Sequence, residues 1–377
     1  MIIRNASVFT EKGIFADQDI YIKDGRFVKT EAEAGTEEVV DGTGCYAIPG
    51  LTDIHFHGCM GYDFCDGTLE AITAIAEYEA SVGVTSIVPA TMTLGEDTLK
   101  GICETAAAYV KAGSSKKAAD LCGINMEGPF VAESKKGAQN GVYIVAPDAG
   151  MFDRLNAASG GMIRLVAIAP ETDGAMEFIE KKKDETVLSI AHTAADYDTA
   201  MEAFEKGASH VTHLYNAMNP YTHRAPGPIG AAADAGAEVE LICDGVHIHP
   251  AVVRTTFKIF GDDRVILISD SMMATGLQDG DYSLGGQAVK VVGNRATLAN
   301  GTIAGSATNL LDCMRNAVQN MQVPLESAVK AAAVNPAKSA GIYDRYGSIT
   351  PGKEANVVLL KKEDLSLLQV ILRGNRI

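Results

Sequence analysis

The sequence has no Cys-x-x-Cys pair, and its cysteines are odd in number, with 7 in 377 residues. This pattern indicates neither a disulfide framework nor a thiolate zinc site, so we expect reduced, mainly structural cysteines. Runs of about 18 or more apolar residues, which a membrane-spanning helix needs, are also absent. The N-terminus lacks the apolar core of a signal peptide. From these absences we expect a soluble, cytoplasmic protein.

Positive charge is scarce as well. The chain has 32 Lys and Arg against 48 Asp and Glu, which gives a net charge of −16. Nucleic acids and anionic membranes need broad basic surfaces, so neither is an expected partner. A phosphorylated small molecule is compatible with this charge, because a few local cations are enough to hold it. The length favours one large domain plus a smaller one.

Both ends of the chain are rich in short β-type runs separated by turns. The predicted strands are 2–9, 19–22, 26–29, 38–41 and 45–48 at the N-terminal end, and 355–361 and 368–372 at the C-terminal end. Isolated hairpins are only marginally stable. We therefore expect both ends to build one small β domain, with two unrelated flanking extensions as the alternative.

The pattern changes between the two ends. Short apolar runs alternate there with amphipathic, Ala- and Glu-rich segments, among them 69–82, 96–111, 176–182 and 199–206. The eight candidate strands are 51–56, 85–90, 121–126, 163–169, 187–191, 210–213, 239–242 and 265–269. Eight parallel-type strands alternating with helices predict an α/β fold, a (β/α)8 barrel of the TIM type. A doubly wound open sheet is the alternative, but no Gly-x-Gly-x-x-Gly motif follows an early strand.

Metal-ligand side chains occur where these predicted strands end. They are His55, His57, Glu127, His192, His213 and Asp270. In a barrel the carboxyl ends of all strands meet at one mouth, where catalytic groups are found. Each residue alone also has an ordinary structural explanation, since carboxylates cap turns and histidines form hydrogen bonds in cores. Their joint position predicts a metal site, provided that the barrel forms.

Six motifs distributed over essentially the whole chain carry a family resemblance. They are PGLTDIHFHG, NMEGPF, AHT, THLYNAMNP, ISDS and the terminal GSITPGKEANVVLL. These motifs resemble the amidohydrolase superfamily and, within it, the N-acetylglucosamine-6-phosphate deacetylases. The resemblance implies a TIM-type barrel over residues 51–347 and a β-sandwich domain built from residues 1–50 and 348–377. It also implies hydrolysis of N-acetylglucosamine 6-phosphate to glucosamine 6-phosphate and acetate, in amino-sugar metabolism.

The same resemblance implies a ligand set. Glu127, His192 and His213 match the family's main metal ligands, and two histidines with one carboxylate leave a position open for water. Intact His55 and His57 favour a second, weaker metal position, with Glu127 as a bridge and Asp270 as a further ligand. One or two divalent ions are therefore expected. Zinc is the expected metal, and iron, manganese and cobalt stay open because all accept this nitrogen and oxygen set.

Catalytic and substrate roles also follow from the resemblance. Asp270 would accept a proton from the attacking water and return it to the leaving amine. Gln139 stands where some relatives have a histidine that stabilises the oxyanion, and it can donate a hydrogen bond but not a proton. The remaining implied substrate contacts are Asn216, Ala217, Arg224 and His247. The segment 298–309 matches a family loop over the acetyl group and also has the pattern of a hairpin that turns at Asn300 and Gly301.

Arg224 has two explanations. Its planar guanidinium suits a phosphate, and in relatives this arginine can come from a neighbouring subunit, which implies a homodimer. Without the resemblance, a solvated loop charge is the better explanation. His210 is expected to be structural, and His249 has no assigned role.

Three functions remain open on the sequence alone. The first is a deacetylase of hexosamine 6-phosphates, with the N-acetylgalactosamine epimer as a rival substrate. The second is another amidohydrolase, such as a cyclic-amide hydrolase or a deaminase, which would show no preference for a 6-phosphate. The third is a metal-free relative that acts as a binding or scaffold protein, which the intact ligand set opposes.

Overall fold

Parallel strands run through the middle of the chain in sequence order. The computed structural model describes residues 1–35, 38–113 and 115–377. A three-stranded parallel sheet contains Leu51–Asp53, Val84–Ile87 and Asp120–Leu121. A six-stranded parallel sheet contains Ile124–Met126, Ile163–Ile168, Val187–Ile190, His210–Val211, Glu238–Ile242 and Val265–Ile268. All eight predicted strands are present, and the third is divided between the two sheets.

Backbone hydrogen bonds connect these two sheets on both sides. Thr91 N donates to Asn125 O at 2.8 Å next to the divided strand. At the opposite side, Asp270 N donates to His55 O at 3.0 Å. The carboxyl ends of the first and last strands, which carry three of the predicted site residues, are therefore neighbours.

Helices follow most of the parallel strands and cover their outer sides. The longer ones are Leu69–Ser81, Glu96–Ala112, Ala149–Ala158, Ala175–Lys182, Tyr197–Lys206, Gly227–Ala235, Pro250–Phe260 and Leu310–Gln319. The shorter ones are Glu31–Ala34, Leu325–Val329 and Asn335–Ser339. Side chains cap several N-termini: Thr68 accepts from Ala71 N, and Asp196 accepts from Thr199 N. The four predicted helices are confirmed, with bounds that shift by at most two residues. In the described parts of the chain, the helices are too short or too polar to cross a membrane.

The two ends of the chain share one sheet. Its order is Asn375–Arg376, Leu367–Leu372, Val357–Lys361, Cys45–Pro49, Ser7–Phe9 and Phe15–Asp17. A second sheet consists of Arg26–Val28, Ile20–Lys23, Ile2–Arg4 and Val39–Asp41. Ile3 and Ile22 of the second sheet share a buried cluster with Ala47, Val357 and Ile371 of the first. The chain ends thus pair with each other and do not form separate extensions.

Strand Val357–Lys361 is buried on both faces. Val357 and Leu359 point into the terminal cluster, while Val358 and Leu360 pack in the main core below the helices. The sequence of a strand that is covered on both sides is an unbroken apolar run, because neither set of alternating side chains faces water. The sequence Val-Val-Leu-Leu at this place follows from that position.

The structure contains a four-stranded antiparallel sheet, of which the sequence analysis predicted only one hairpin. It contains Gly280–Leu284, Gln287–Val292, Arg295–Leu298 and Ile303–Ser306. The predicted hairpin is its last turn, where Gly301 N donates to Leu298 O at 2.9 Å. The first turn is Gly285–Gly286, and a Gly-Gly pair between two alternating runs is a hairpin signal that could have revealed the sheet. Its apolar side packs against Met92 and Met272.

Leucine truncation tests the position of the C-terminal strand. Leu360→Ala removes a fully buried side chain from the main core, so we expect the free energy of unfolding to fall by about 2–5 kcal/mol. The matched control is Leu368→Ala in the paired strand, where the side chain is 49% exposed and the loss should be within about 0.5 kcal/mol. Urea denaturation measures both values. Equal losses in the two variants would contradict the packing described here.

Candidate metal centre

The six predicted ligand residues converge on one buried cluster, with Glu127 at its centre. Oε1 of Glu127 lies 3.0 Å from Nε2 of His192 and 3.0 Å from Nε2 of His213. The same oxygen lies 3.5 Å from His55 Nε2. The other carboxylate oxygen, Oε2, lies 3.3 Å from His57 Nε2. One carboxylate therefore faces the Nε2 atoms of four imidazoles.

Asp270 completes the cluster beside the first-strand histidines. Its Oδ1 lies 3.4 Å from His57 Nε2 and 3.8 Å from His55 Nε2. Asp270 is 8% exposed, whereas His55 is fully buried. The Asp270 carboxylate thus stands at the edge of the cluster, where it can contact a molecule in the adjoining cavity.

The donor set fits a divalent cation. Two triads, His55–His57–Glu127 and Glu127–His192–His213, each place their ligand atoms within 4.8 Å of one another. His55 Nε2 is buried and has no hydrogen-bond partner within the described residues. A buried polar atom without a partner is costly. A cation held by imidazole nitrogens and carboxylate oxygens would satisfy it, as in catalytic zinc sites.

The backbone is strained where the site residues leave their strands. His192 has φ 44°, His213 has φ 31° and Asp270 has φ 49°. Residues other than glycine rarely adopt positive φ, and the strain costs about 1–3 kcal/mol at each position. All three residues directly follow a parallel strand or lie within two residues of its end. These three strained positions are where the side chains turn into the site.

Two glycines follow ligand residues because the backbone has close neighbours there. A Cβ at Gly58, after His57, would lie 2.1 Å from Tyr62 O. A Cβ at Gly128, after Glu127, would lie 2.1 Å from the Thr93 side-chain oxygen, and Gly128 also has φ 87°. Any larger residue at either position would displace the adjacent ligand.

The histidines of the first strand hold protons in the metal-free cluster. Burial lowers the pKa of His57, but hydrogen bonds to Asp270 and Glu127 outweigh it and raise the pKa to about 10. Burial also lowers the pKa of His55, yet the charges of Glu240 and Glu127 raise it well above its ordinary value. Both imidazoles therefore carry positive charge at neutral pH.

The two carboxylates of the cluster are ionised. Burial raises the pKa of Glu127, but the charge of His55 and hydrogen bonds from His192 outweigh burial and hold the pKa well below its ordinary value. The pKa of Asp270 is also lowered, because a hydrogen bond from His57 and the charge of His55 outweigh burial. Negative oxygens thus face protonated nitrogens, and a bound cation would replace those protons.

Gln139 contacts the cluster through Glu127. Its Nε2 donates to Glu127 Oε2 at 2.7 Å. Its Oε1 accepts from Thr93 N, also at 2.7 Å. Because a backbone N–H can only donate, this second bond fixes which end of the amide faces Glu127. The predicted substrate contact of Gln139 thus depends on its other N–H hydrogen.

A cavity of about 290 Å³ adjoins the cluster. Four of the five expected substrate residues line it: Gln139, Asn216, Ala217 and His247. The last hairpin of the antiparallel sheet, in the segment 298–309, contributes Thr302 and Gly305. The cavity is therefore built from the ends of the parallel strands on one side and from this sheet on the other.

Arg224 lies apart from this cavity. It is exposed and lines a separate surface groove together with Asp196, Tyr197 and Asn219. Within one chain the structure therefore does not bring Arg224 to the other predicted substrate residues.

Three further histidines have defined structural contacts. His247 is held by Asp244, whose Oδ2 lies 2.8 Å from His247 Nδ1. His249 caps the helix Pro250–Phe260 by accepting from Ala251 N. His210 is fully buried, and its Nδ1 lies 2.9 Å from Ser189 Oγ. The structural expectation for His210 agrees with these contacts, and the seven cysteines are free thiols as predicted.

Glu240 is a residue of the site that the sequence reasoning missed. Its Oε2 lies 3.0 Å from His55 Nδ1, and it also accepts from His213 N at 3.0 Å. The signal in the sequence is one acidic residue inside the apolar run of strand Glu238–Ile242. A buried carboxylate in such a run needs a partner.

The chain matches known proteins over its full length. Residues 46–377 match the profile of the Amidohydrolase family. The chain is 37% identical to N-acetylglucosamine-6-phosphate deacetylase of Bacillus subtilis, over 100% of this chain and 96% of that protein. It is 32% identical to N-acetylgalactosamine-6-phosphate deacetylase of Escherichia coli O157:H7, over 99% of this chain and 98% of that protein. The crystal structure of N-acetyl-D-glucosamine-6-phosphate deacetylase from Mycobacterium smegmatis matches with a TM-score of 0.91 at 32% identity, and 100% of both chains is covered.

Zinc uptake should release protons. Because the raised pKa values of His55 and His57 keep both imidazoles protonated at pH 7, a metal that binds them must displace protons. We expect about one to two protons per chain when zinc is added to chelator-treated protein, and weaker apparent zinc binding as the pH falls. Calorimetry in two buffers of different ionisation enthalpy measures the number. Zinc binding without proton release would contradict the charge arrangement of the cluster.

Proposed function

The chain belongs to the amidohydrolase family, and from that premise we propose that it hydrolyses N-acetylglucosamine 6-phosphate to glucosamine 6-phosphate and acetate. The observation that carries the proposal is the convergence of Glu127, His192 and His213 beside a cavity that is lined by residues of the THLYNAMNP motif. The Bacillus subtilis and Mycobacterium smegmatis relatives are named for this deacetylation. A phosphorylated metabolite as substrate also agrees with the expected cytoplasmic location.

We further propose a closed (β/α)8 barrel over residues 51–347 and a β-sandwich domain from residues 1–50 and 348–377. The hydrogen bonds of Thr91 with Asn125 and of Asp270 with His55 support closure, because they join the two parallel sheets on both sides. The buried cluster between the two terminal sheets supports the sandwich. Such a barrel would have all ligand residues at the carboxyl ends of its strands, as expected for enzymes of this fold.

The residues of the cluster fit one or two divalent ions, with zinc as the expected metal and iron, manganese or cobalt as alternatives. Glu127, His192 and His213 would hold the first ion. His55 and His57 would hold the second, with Glu127 as the bridge and Asp270 as a further ligand. When bound, such an ion polarises the acetyl carbonyl and lowers the pKa of the attacking water.

Asp270 moves the proton in the proposed reaction. Its ionised carboxylate accepts a proton from the attacking water and then delivers it to the amine of the leaving sugar. Its position at the edge of the cluster, 8% exposed, lets the same oxygen atoms reach both partners. In the metal-free cluster, a hydrogen bond from His57 and the charge of His55 outweigh burial and lower the pKa of Asp270, so its carboxylate is ionised.

Substrate contacts come from the cavity wall. Asn216, Ala217 and His247 would bind the sugar, and Asp244 holds the His247 ring in place. Gln139 would offer the N–H hydrogen that Glu127 does not use. The position of Arg224 on a separate groove supports a homodimer in which this arginine binds the phosphate bound to the partner chain.

The galactosamine epimer is the second candidate substrate. It is supported by the 32% identity to the Escherichia coli enzyme, against 37% for the Bacillus subtilis enzyme. The higher identity favours the glucosamine compound. The cluster buries Glu127, Asp270 and four histidines together, and buried charges are costly unless a partner offsets them. This arrangement opposes a metal-free scaffold protein.

Acetate release tests the reaction. We expect release from N-acetylglucosamine 6-phosphate to exceed release from the galactosamine and mannosamine epimers, and to stop after treatment with a chelator. Asp270→Asn should lower kcat by about 10²–10⁴-fold, because an amide cannot accept the proton, while zinc is still bound. An enzymatic acetate assay and elemental analysis measure both quantities.

Asp281→Asn is the matched control, since it makes the same change on an exposed strand and should leave kcat unchanged. Near-normal turnover in Asp270→Asn would remove Asp270 from the reaction. Activity that survives complete removal of metal would reject the metal-dependent mechanism as a whole.

Subunit mixing tests the role of Arg224. Arg224→Ala should raise KM for the 6-phosphate by about 10–100-fold, because a charged hydrogen-bond donor to the phosphate is lost. The KM for unphosphorylated N-acetylglucosamine should not change. A mixed dimer of Arg224→Ala and Asp270→Asn chains contains one site with Asp270 and the partner's intact arginine. The two chains are co-expressed with different tags, so that mixed dimers can be purified. At low substrate concentration we expect these mixed dimers to be more active than either parent.

Arg295→Ala, at an exposed arginine, is the control variant and should keep the wild-type KM. If mixed dimers stay as inactive as the two parents, Arg224 does not act across the interface.

A further inference from the structure

A fully buried carboxylate lies behind the metal cluster. Glu240 occupies the centre of strand Glu238–Ile242 and is 0% exposed. Its neighbours Val239 and Leu241 pack in the main core. Since alternate residues of a strand point to opposite sides, Glu240 points away from the helices and toward the cluster.

The contacts of Glu240 are with histidine residues. Its Oε2 lies 3.0 Å from His55 Nδ1 and accepts from His213 N at 3.0 Å. Its Oε1 has no hydrogen-bond partner within the described residues and lies 3.8 Å from His210 Nε2. The ion-pair contacts of this carboxylate in the described chain are with His55 and His210. Its charge is thus directed at the side chain of one ligand residue, His55.

This contact fixes the His55 ring. A carboxylate only accepts hydrogen bonds, so Nδ1 of His55 must carry a hydrogen. The lone pair of a neutral His55 then lies on Nε2, the atom that faces Glu127 Oε1 at 3.5 Å and Asp270 Oδ1 at 3.8 Å. Ligand histidines commonly have such a partner on the nitrogen that does not bind metal, and it increases their basicity as well as fixing their orientation.

Within the described residues, each ligand triad has one histidine fixed in this way. In the Glu127–His192–His213 triad it is His192, whose Nδ1 lies 2.9 Å from Lys135 O. In the other triad it is His55. The Nδ1 atoms of His57 and His213 are buried without a hydrogen-bond partner. One triad is therefore anchored by a neutral carbonyl, and the other by the carboxylate of Glu240.

We propose that Glu240 is a positioning residue that holds His55 for the second metal position and thereby sets whether the chain binds one ion or two. The proposal rests on the metal-dependent function proposed above. It assigns Glu240 no contact with substrate. Removing its charge should weaken binding at His55, His57 and Glu127, and should leave binding at Glu127, His192 and His213 intact.

Zinc titration of Glu240→Gln tests the proposal. Glutamine removes the charge but keeps an oxygen that can accept from His55 and His213. Chelator-treated protein is titrated with zinc against a competing chromophoric chelator, and the number of bound ions is checked by elemental analysis after dialysis. Wild type should bind two zinc ions per chain. In Glu240→Gln the second ion should bind about 10–100-fold more weakly, with the first unchanged.

Glu79→Gln is the matched control. Glu79 is also 0% exposed, and its carboxyl oxygens have no hydrogen-bond partner within the described residues. It lies on the helix Leu69–Ser81 and belongs to neither ligand triad. Both zinc affinities should stay at the wild-type values in this variant.

Three results would overturn the proposal. Glu240→Gln could bind both ions as wild type does, it could lose both ions equally, or wild type could bind a single ion. Each of these leaves the deacetylase function intact if acetate release still needs zinc. A wild-type chain that binds no zinc would overturn the proposed function as well, so the two failures are distinguishable.

A measurement on the wild type covers the case in which Glu240→Gln does not fold. In zinc-loaded protein with ¹⁵N-labelled histidine, the His55 ring should carry its hydrogen on Nδ1. The signal is assigned through its loss in His55→Ala. A hydrogen on Nε2 of His55 would overturn the proposal, because that nitrogen could not then bind a metal ion.

Discussion

The site depends on the contact between one buried carboxylate and four imidazoles. Moving an ionised carboxylate out of water costs several kcal/mol, which only nearby positive charge and hydrogen bonds can offset. Glu127 faces His192, His213 and His55 with one oxygen and His57 with the other. Because Asp270 and Glu240 are also buried and ionised nearby, protons on the histidines or bound cations are required. Without such protons or cations the buried carboxylates would destabilise the cluster. For the same reason the cluster favours the binding of cations.

The parallel strands satisfy this requirement by bringing distant residues together. Glu127 follows one strand, and His192 and His213 follow strands that lie two and three places further along the chain. Leaving a strand with a side chain pointed inward demands positive φ at His192 and His213, and the cost of that strain must be covered by the surrounding packing. Strand Val357–Lys361, buried on both faces, contributes to that packing from the far end of the sequence. The stability of the terminal sheets and the geometry of the site are therefore linked through a common core.

The sequence allowed the strands and the ligands to be predicted for one physical reason. Parallel strands covered on both sides appear as apolar runs, and the first polar residues after such runs, such as His192 and Asp270, mark the strand ends. The signal of Glu240, an acidic residue inside an apolar run, does not identify its partner, because His55 lies 185 positions away in the chain. The position of Arg224 could not be predicted either, since its loop has no apolar pattern to place it. The antiparallel sheet could have been predicted in full, because its strands alternate between exposed and buried side chains and glycine turns separate them.

Gln139 shows why a matching position does not by itself define a role. The resemblance indicates a donor to the substrate, where some relatives have a histidine. In the structure the amide is held from both ends, by Thr93 N at its oxygen and by Glu127 at its nitrogen. One N–H hydrogen orients the central carboxylate, and the other is left for the cavity that Gln139 lines. Because an amide does not titrate, its contact with Glu127 persists at every pH at which that carboxylate is ionised. A histidine in its place would gain a proton near neutral pH and add charge to the cluster. Glutamine thus fixes Glu127 without changing the charge balance on which metal binding depends.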